Sequence, residues 1–161
     1  MSGQRIGLGG GCHWCTEAVF QSLKGVERVE QGFIRSLPPH ESWSEAVIVH
    51  FDSGLIGLRS LIDIHLRTHA STSNHSMRGK YRSAVYAFDD EQFEPAQELL
   101  THLASGFDEP LVTNALLFKG FKPSDERFHN YYETDPQRPF CRAYIDPKLK
   151  LLRERFAKSL A

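Results

Sequence analysis

The stretch GGGCHWCTEAVF, residues 9–20, sets three glycines directly before two cysteines and then continues as an apolar pattern of helical period. Upstream, RIGLGG, which begins at Arg5, reads as a short strand, so the glycines form the turn between a strand and a helix. Val19, Phe20 and Leu23 share one side of a helix expected over 13–24, and Gly25 suits its stop. Cys12 therefore sits at a helix start, where unpaired N–H groups favour the thiolate, the reactive form of the side chain. Glycines without side chains permit the sharp turn and leave room for something to approach the sulfur.

The pattern continues as strand, strand, helix, strand. VERVEQGF (26–33) alternates apolar and polar residues, and EAVIVHF (45–51) is a stronger strand with branched side chains. Pro38 and Pro39 lie in the loop between them. Leu55, Leu58, Ile62 and Leu66 mark a helix over 56–68, and the polar run THASTSNHSMRGK that follows reads as surface or as the wall of a site. YRSAVYAF (81–88) is a strand, Phe93, Ala96, Leu100 and Leu103 mark a third helix, and LVTNALLF (111–118) is another strand. KPSDERFHNYY suggests a short helix under a polar cap, and Asp146-Pro147 starts a terminal helix over 147–159. The order predicts an α/β (α+β) fold: a two-layer sandwich with a ferredoxin-like β-α-β-β-α-β core, additional strands and helices, and a mixed sheet, in a single domain over residues 1–161.

Composition narrows the classes. Nineteen basic and twenty acidic residues give no net field to draw nucleic acid, and no basic stripe interleaved with aromatics is visible. No run of about 18 apolar residues exists to span a bilayer. The amino terminus is too short and glycine-rich to supply a secretory signal, so a cytoplasmic location is expected. Three cysteines, Cys12, Cys15 and Cys141, are too few for a disulfide scaffold.

Cys12 and Cys15 admit three readings. They could be half of a zinc site completed by Cys141 with His13 or His129, a pair of small buried thiols, or an attacking thiolate with its resolving partner. In the last case a sulfenic acid condenses with a neighbouring thiol to a disulfide, and Cys141, in the Pro-containing and expectedly mobile segment QRPFCRAY, is a second resolver. No metal or bound cofactor is assigned.

GGGCHWCTEAVF, GKYRSAVYAF and ERFHNYYETDPQRPFCRAYIDPKL together resemble the A-type peptide-methionine sulfoxide reductases, over nearly the whole chain. The resemblance implies an oxidoreductase that reduces a methyl sulfoxide, peptide or free methionine-(S)-sulfoxide, through cysteine sulfenic acid and disulfide intermediates. It implies recharging by an external dithiol such as thioredoxin, with methionine sulfoxide or an oxidised protein as the other partner, and no nucleic acid or membrane. Cys12 matches the family nucleophile and Trp14 one of the aromatic pair that holds the substrate methyl, while His13 stands where the family usually has Phe. Tyr81 matches a tyrosine at the sulfoxide oxygen; its usual companion falls on Phe33. The loop that carries the family's acid is shortened, leaving Glu41 as the nearest loop carboxyl and Glu45 as a strand residue, and a further acidic position falls on Ser76. His129, Asn130, Tyr131 and Tyr132 match a cap block that shapes the pocket. Cys15 and Cys141 both occupy places where members of the family keep a resolving cysteine. The competing reading is a non-catalytic thiol or zinc-binding module with the same fold.

Overall fold

The computed structural model describes residues 3–73 and 80–160. The chain runs β1 (Gly3–Gly9), α1 (His13–Gln21), β2 (Val26–Arg35), β3 (Ser44–Asp52), α2 (Leu58–Thr68), β4 (Ala84–Ala87), α3 (Asp90–Leu103), β5 (Asn114–Leu117) and β6 (Gly120–Pro123). A short helix α4 (Tyr131–Thr134), a π-helical turn (Cys141–Ile145) and α5 (Asp146–Arg155) follow. The six strands lie in the order β5-β4-β1-β3-β2-β6. β1 is antiparallel to β3 and β4, and β2 to β3 and β6, while β4 and β5 are parallel. The central four strands and first two helices are the expected ferredoxin-like core, and β5 and β6 extend it at opposite edges into a mixed sheet.

The two-residue strand period divides the apolar side chains between faces. Ile6, Leu8, Val47, Val49, Phe51 and Val85 point to the helices, where Phe20 of α1, Leu61 and Ile64 of α2, Leu100 of α3 and Leu152 of α5 complete one core. On the opposite face Ile34, Ala46, Ile48, Ala84 and Tyr86 form a smaller cluster under Phe88, Leu116, Phe118 and Phe121. Arg82 is buried against that cluster. Its guanidinium donates to the Tyr86 hydroxyl (3.0 Å), the Ser42 hydroxyl (3.2 Å) and the carbonyls of Ile34 (3.1 Å) and Ser42 (3.0 Å), binding the β2–β3 loop to β4. No helix among the described residues is long and apolar enough to cross a membrane.

Several elements differ from the sequence expectation. α1 ends at Gln21, where the Ser22 hydroxyl takes up the Val19 carbonyl (2.6 Å), and Gly25 then turns the chain with φ 85°. β4 begins at Ala84, so Tyr81 precedes the strand. β6 is a four-residue edge strand, two of whose residues are Gly and Pro, a composition that hides it from pattern reading. The segment around Cys141, expected to be mobile, is a helical turn whose Cys141 and Ile145 are fully buried. Ser76 lies outside the described residues.

Gly7 sits at the centre of β1 on the side of the smaller cluster, and a Cβ there would come within 2.9 Å of both Ile34 Cδ1 and Tyr86 Cβ. Gly7→Ala is expected to destabilise the fold by about 1–3 kcal/mol through overpacking. Urea unfolding checks this as a lower midpoint at unchanged slope, and an unchanged midpoint would show that the two neighbours yield.

Candidate active site

The turn after β1 delivers Cys12 to the N-cap of α1. Gly10 makes the turn possible with φ 152°, and a side chain on it would run into the His69 imidazole. Cys12 is half-buried, Cys15 is buried one turn along, and all three cysteines are free thiols. The Cys15 S–H is directed at the Cys12 sulfur and lowers its pKa, with the N–H groups of Trp14 and Cys15 acting in the same direction against burial and the Glu45 carboxylate. The same hydrogen bond, followed by burial, pushes the Cys15 thiol up. The pair thus divides into a thiolate-prone sulfur and a proton-holding one.

His13 is buried beside them. Its Nδ1 lies 2.7 Å from the Gly32 carbonyl, its Nε2 3.5 Å from Glu45 Oε1, and its backbone N–H donates to that same oxygen at 3.2 Å. Burial lowers the His13 pKa, outweighing the Gly32 and Glu45 contacts that raise it. With Nδ1–H spent on Gly32, the neutral ring turns its Nε2 lone pair toward the Glu45 carboxyl. The second Glu45 oxygen is 3.6 Å from the Lys80 ammonium. Glu41 is exposed in the loop and lacks the apolar wall that its expected role requires; the buried carboxyl at this turn is Glu45. The β2–β3 register sets Glu45 opposite Phe33, one residue from the Gly32 that receives His13. The available signal was a carboxyl at the start of a strand, directly before the four apolar residues Ala46, Val47, Ile48 and Val49.

Aromatic rings build one wall. Phe33 meets His13 edge-on at 5.3 Å, and Trp14 stacks on Tyr131 at 4.2 Å and 5°, with Phe128 at 5.2 Å and Phe140 edge-on at 5.3 Å. The Arg138 guanidinium covers Tyr131 at 4.1 Å. Tyr132 sends its hydroxyl to Asp146 Oδ1 (2.9 Å), and its ring, like that of Tyr131, packs by the cluster of Cys15, Ala18, Cys141 and Ile145. Tyr131, not Tyr132, is thus the cap tyrosine against Trp14. Tyr81 is half-buried, with the Lys80 ammonium 5.2 Å from its ring. Its segment is pinned beside Glu45, whose N–H donates to the Lys80 carbonyl (2.9 Å). His129 lines a separate groove of about 310 Å³ with Glu17, Gln31 and Asn130. Among the described residues no group of three or more His, Cys, Asp or Glu is placed to hold a metal ion, which leaves the zinc reading without a ligand set.

Sequence reasoning missed Glu17. It is buried on α1, and its Oε1 accepts from Gln31 Nε2 (3.0 Å) and Tyr131 N–H (3.1 Å) while Oε2 accepts from Asn130 N–H (2.9 Å). Asn130, in a left-handed conformation with φ 55°, turns the cap so that both N–H groups reach that carboxylate. The signal was an acidic residue inside the apolar helix pattern.

A family model described as peptide methionine sulfoxide reductase matches residues 4–160. The peptide methionine sulfoxide reductase MsrA of Deinococcus radiodurans is 34% identical over 167 residues, covering 94% of this chain and 81% of the relative. Among solved structures, reduced Mxr1 from Saccharomyces cerevisiae superposes with a TM-score of 0.75 at 21% identity, over 87% of this chain and 90% of that one. Mxr1 in complex with Trx2 gives a TM-score of 0.65 at 20% identity, over 80% and 85%.

Glu17→Gln replaces an oxygen acceptor by an N–H₂ group facing N–H donors. Faster hydrogen exchange is expected at the Asn130 and Tyr131 amides, with β1 and β3 unaffected, and a stability loss of about 1–3 kcal/mol. Unchanged exchange at those two amides would show that the cap is held by its ring contacts alone.

Proposed function

The chain belongs to the peptide methionine sulfoxide reductase family, and we propose that it reduces a methyl sulfoxide, free or peptide methionine-(S)-sulfoxide, with Cys12 as nucleophile. The observation that carries this reading is Cys12 at the amino end of α1 with Cys15 one turn along, both lining one small cavity; the Cys15 thiol lowers the Cys12 pKa. In this reading residues 1–161 form one catalytic domain, since α1, α2, α3 and α5 share one core.

The Cys12 thiolate attacks the sulfoxide, whose oxygen takes up a proton and passes to Cys12 as sulfenic acid while the thioether leaves. Glu45, beside His13, supplies it; Tyr81, pinned beside Glu45, donates a hydrogen bond to the oxygen. Trp14, braced by Tyr131, packs against the substrate methyl, and Phe33 and His13 close the apolar side. Cys15 then displaces the sulfenic oxygen as water and forms the first disulfide. Cys141, in the same buried cluster as Cys15, takes over the bond by exchange and frees Cys12. An external dithiol, a thioredoxin-like protein in the cytoplasm, reduces the last disulfide. The fold similarity to Mxr1, crystallised with Trx2, supports that partner.

Cys12→Ser is expected to release no methionine in a single turnover. Cys15→Ser is expected to release one equivalent and then stall, read by rapid quench and intact mass. Sulfenic acid in the Cys12→Ser protein and none in Cys15→Ser would reverse the assignment. Glu45→Gln is expected to slow the oxygen-removal step by about 10²-fold or more, whereas His13→Phe keeps it within about tenfold. The opposite result in the same single-turnover assay would give His13 the proton.

A further inference from the structure

On the side of the cysteine pair that faces α2 lies a cavity of about 40 Å³, lined by Cys12, Cys15, Thr16, His65, Thr68 and Lys148 among others. Lys148 enters it from the first turn of α5. Its ammonium donates to the Thr68 carbonyl at the carboxyl end of α2, and no carboxylate pairs with it among the described residues. The nearest acidic neighbour on α5, Asp146, receives the Tyr132 hydroxyl. The titratable groups around Lys148 are Cys12 and Cys15 from α1, and His65, Arg67 and His69 from α2 and the residue after it. His65 and His69 stack at 4.2 Å, and His65 is fully buried, so that burial first and then the His69 charge keep its pKa low and its ring neutral. A half-buried cation with no carboxylate among the described residues, beside the neutral His65 ring and two thiols, lacks a counter-charge until a sulfur ionises.

We propose that Lys148 is a positioning residue for disulfide formation, its ammonium stabilising the Cys15 thiolate as that sulfur attacks the Cys12 sulfenic acid. The inference rests on the reading of Cys12 and Cys15 given above. In the step, the Cys15 Sγ–Cys12 Sγ bond forms and the Cys12 S–O bond breaks. Cys15 is oxidised with the reduction of the sulfenic sulfur, and the thiol proton of Cys15 leaves with the oxygen as water. Lys148 keeps its proton throughout. The need for such a group is specific to this step: while Cys12 is a thiolate it holds the Cys15 proton, and once Cys12 carries oxygen that charge is gone, leaving Cys15 buried with Lys148 as the one lysine or arginine among the described residues that line the cavity.

Lys148→Gln removes the charge but keeps a donor for Thr68; Lys148→Arg keeps the charge, and Lys148→Met repeats the test should the Gln variant not fold. With one equivalent of methionine sulfoxide and no reductant, rapid quench reads methionine release and the Cys12–Cys15 disulfide separately. The disulfide step in Lys148→Gln is expected to slow about tenfold at neutral pH and to recover at a pH about one unit higher, with Lys148→Arg restoring the parent profile. An unchanged disulfide profile, or equal slowing of both steps, would overturn the inference. If the parent itself releases no methionine, the functional reading fails, and Lys148 is judged on a Cys12→Ser, Cys141→Ser background, where Cys15 is the one thiol left. There the pH midpoint of iodoacetamide alkylation is expected to rise by about one unit in Lys148→Gln, and an unmoved midpoint overturns the inference.

Discussion

The Glu17 carboxylate is the point on which the site's geometry depends. One side chain of α1 receives Gln31 of β2 and the N–H groups of Asn130 and Tyr131, so helix, sheet and cap are fixed to a single buried acceptor. Tyr131 is thereby set against Trp14, and Trp14 stands two residues from Cys12 on the same helix. Burial pushes the Glu17 pKa up, against the three N–H donors that lower it. Charge-assisted hydrogen bonds of this kind are among the stronger ones available to a protein, which suits a clasp that joins segments more than a hundred residues apart.

Charge around the thiols is distributed by face. Toward β2 and β3 lie His13, Glu45 and Lys80, and toward α2 and α5 lie Thr68, His65 and Lys148. The Cys12 turn separates the two sets. A carboxyl opposes ionisation of Cys12 on one face, and the Lys148 ammonium, in no ion pair among the described residues, favours thiolates on the other.

Much of this was legible locally. The glycine turn, the helix start at Cys12 and the strand–helix order are encoded within a few residues each, and they led to the ferredoxin-like core and to the cysteine pair. What escaped depends on pairing between distant segments. Glu45 reads as one more polar residue at a strand start, and only the register that sets it opposite Phe33 brings it to His13, whereas Glu41 is close in sequence and exposed in space. Tyr131 and Tyr132 are adjacent and chemically alike, and the helical turn of α4 alone sends one to Trp14 and the other to Asp146. Cys141 lies two residues after Pro139 and reads as surface, but Ala18 and Ile145 enclose it.

The turn that carries Cys141 follows directly on Phe140, which meets the Trp14 ring edge-on and packs against the apolar cluster that Cys141 forms with Cys15. Consecutive residues of a helical turn cannot shift independently. A rotation of that turn as a whole would move the Cys141 sulfur and the Phe140 ring together, so the thiol cluster and the aromatic wall share one backbone support.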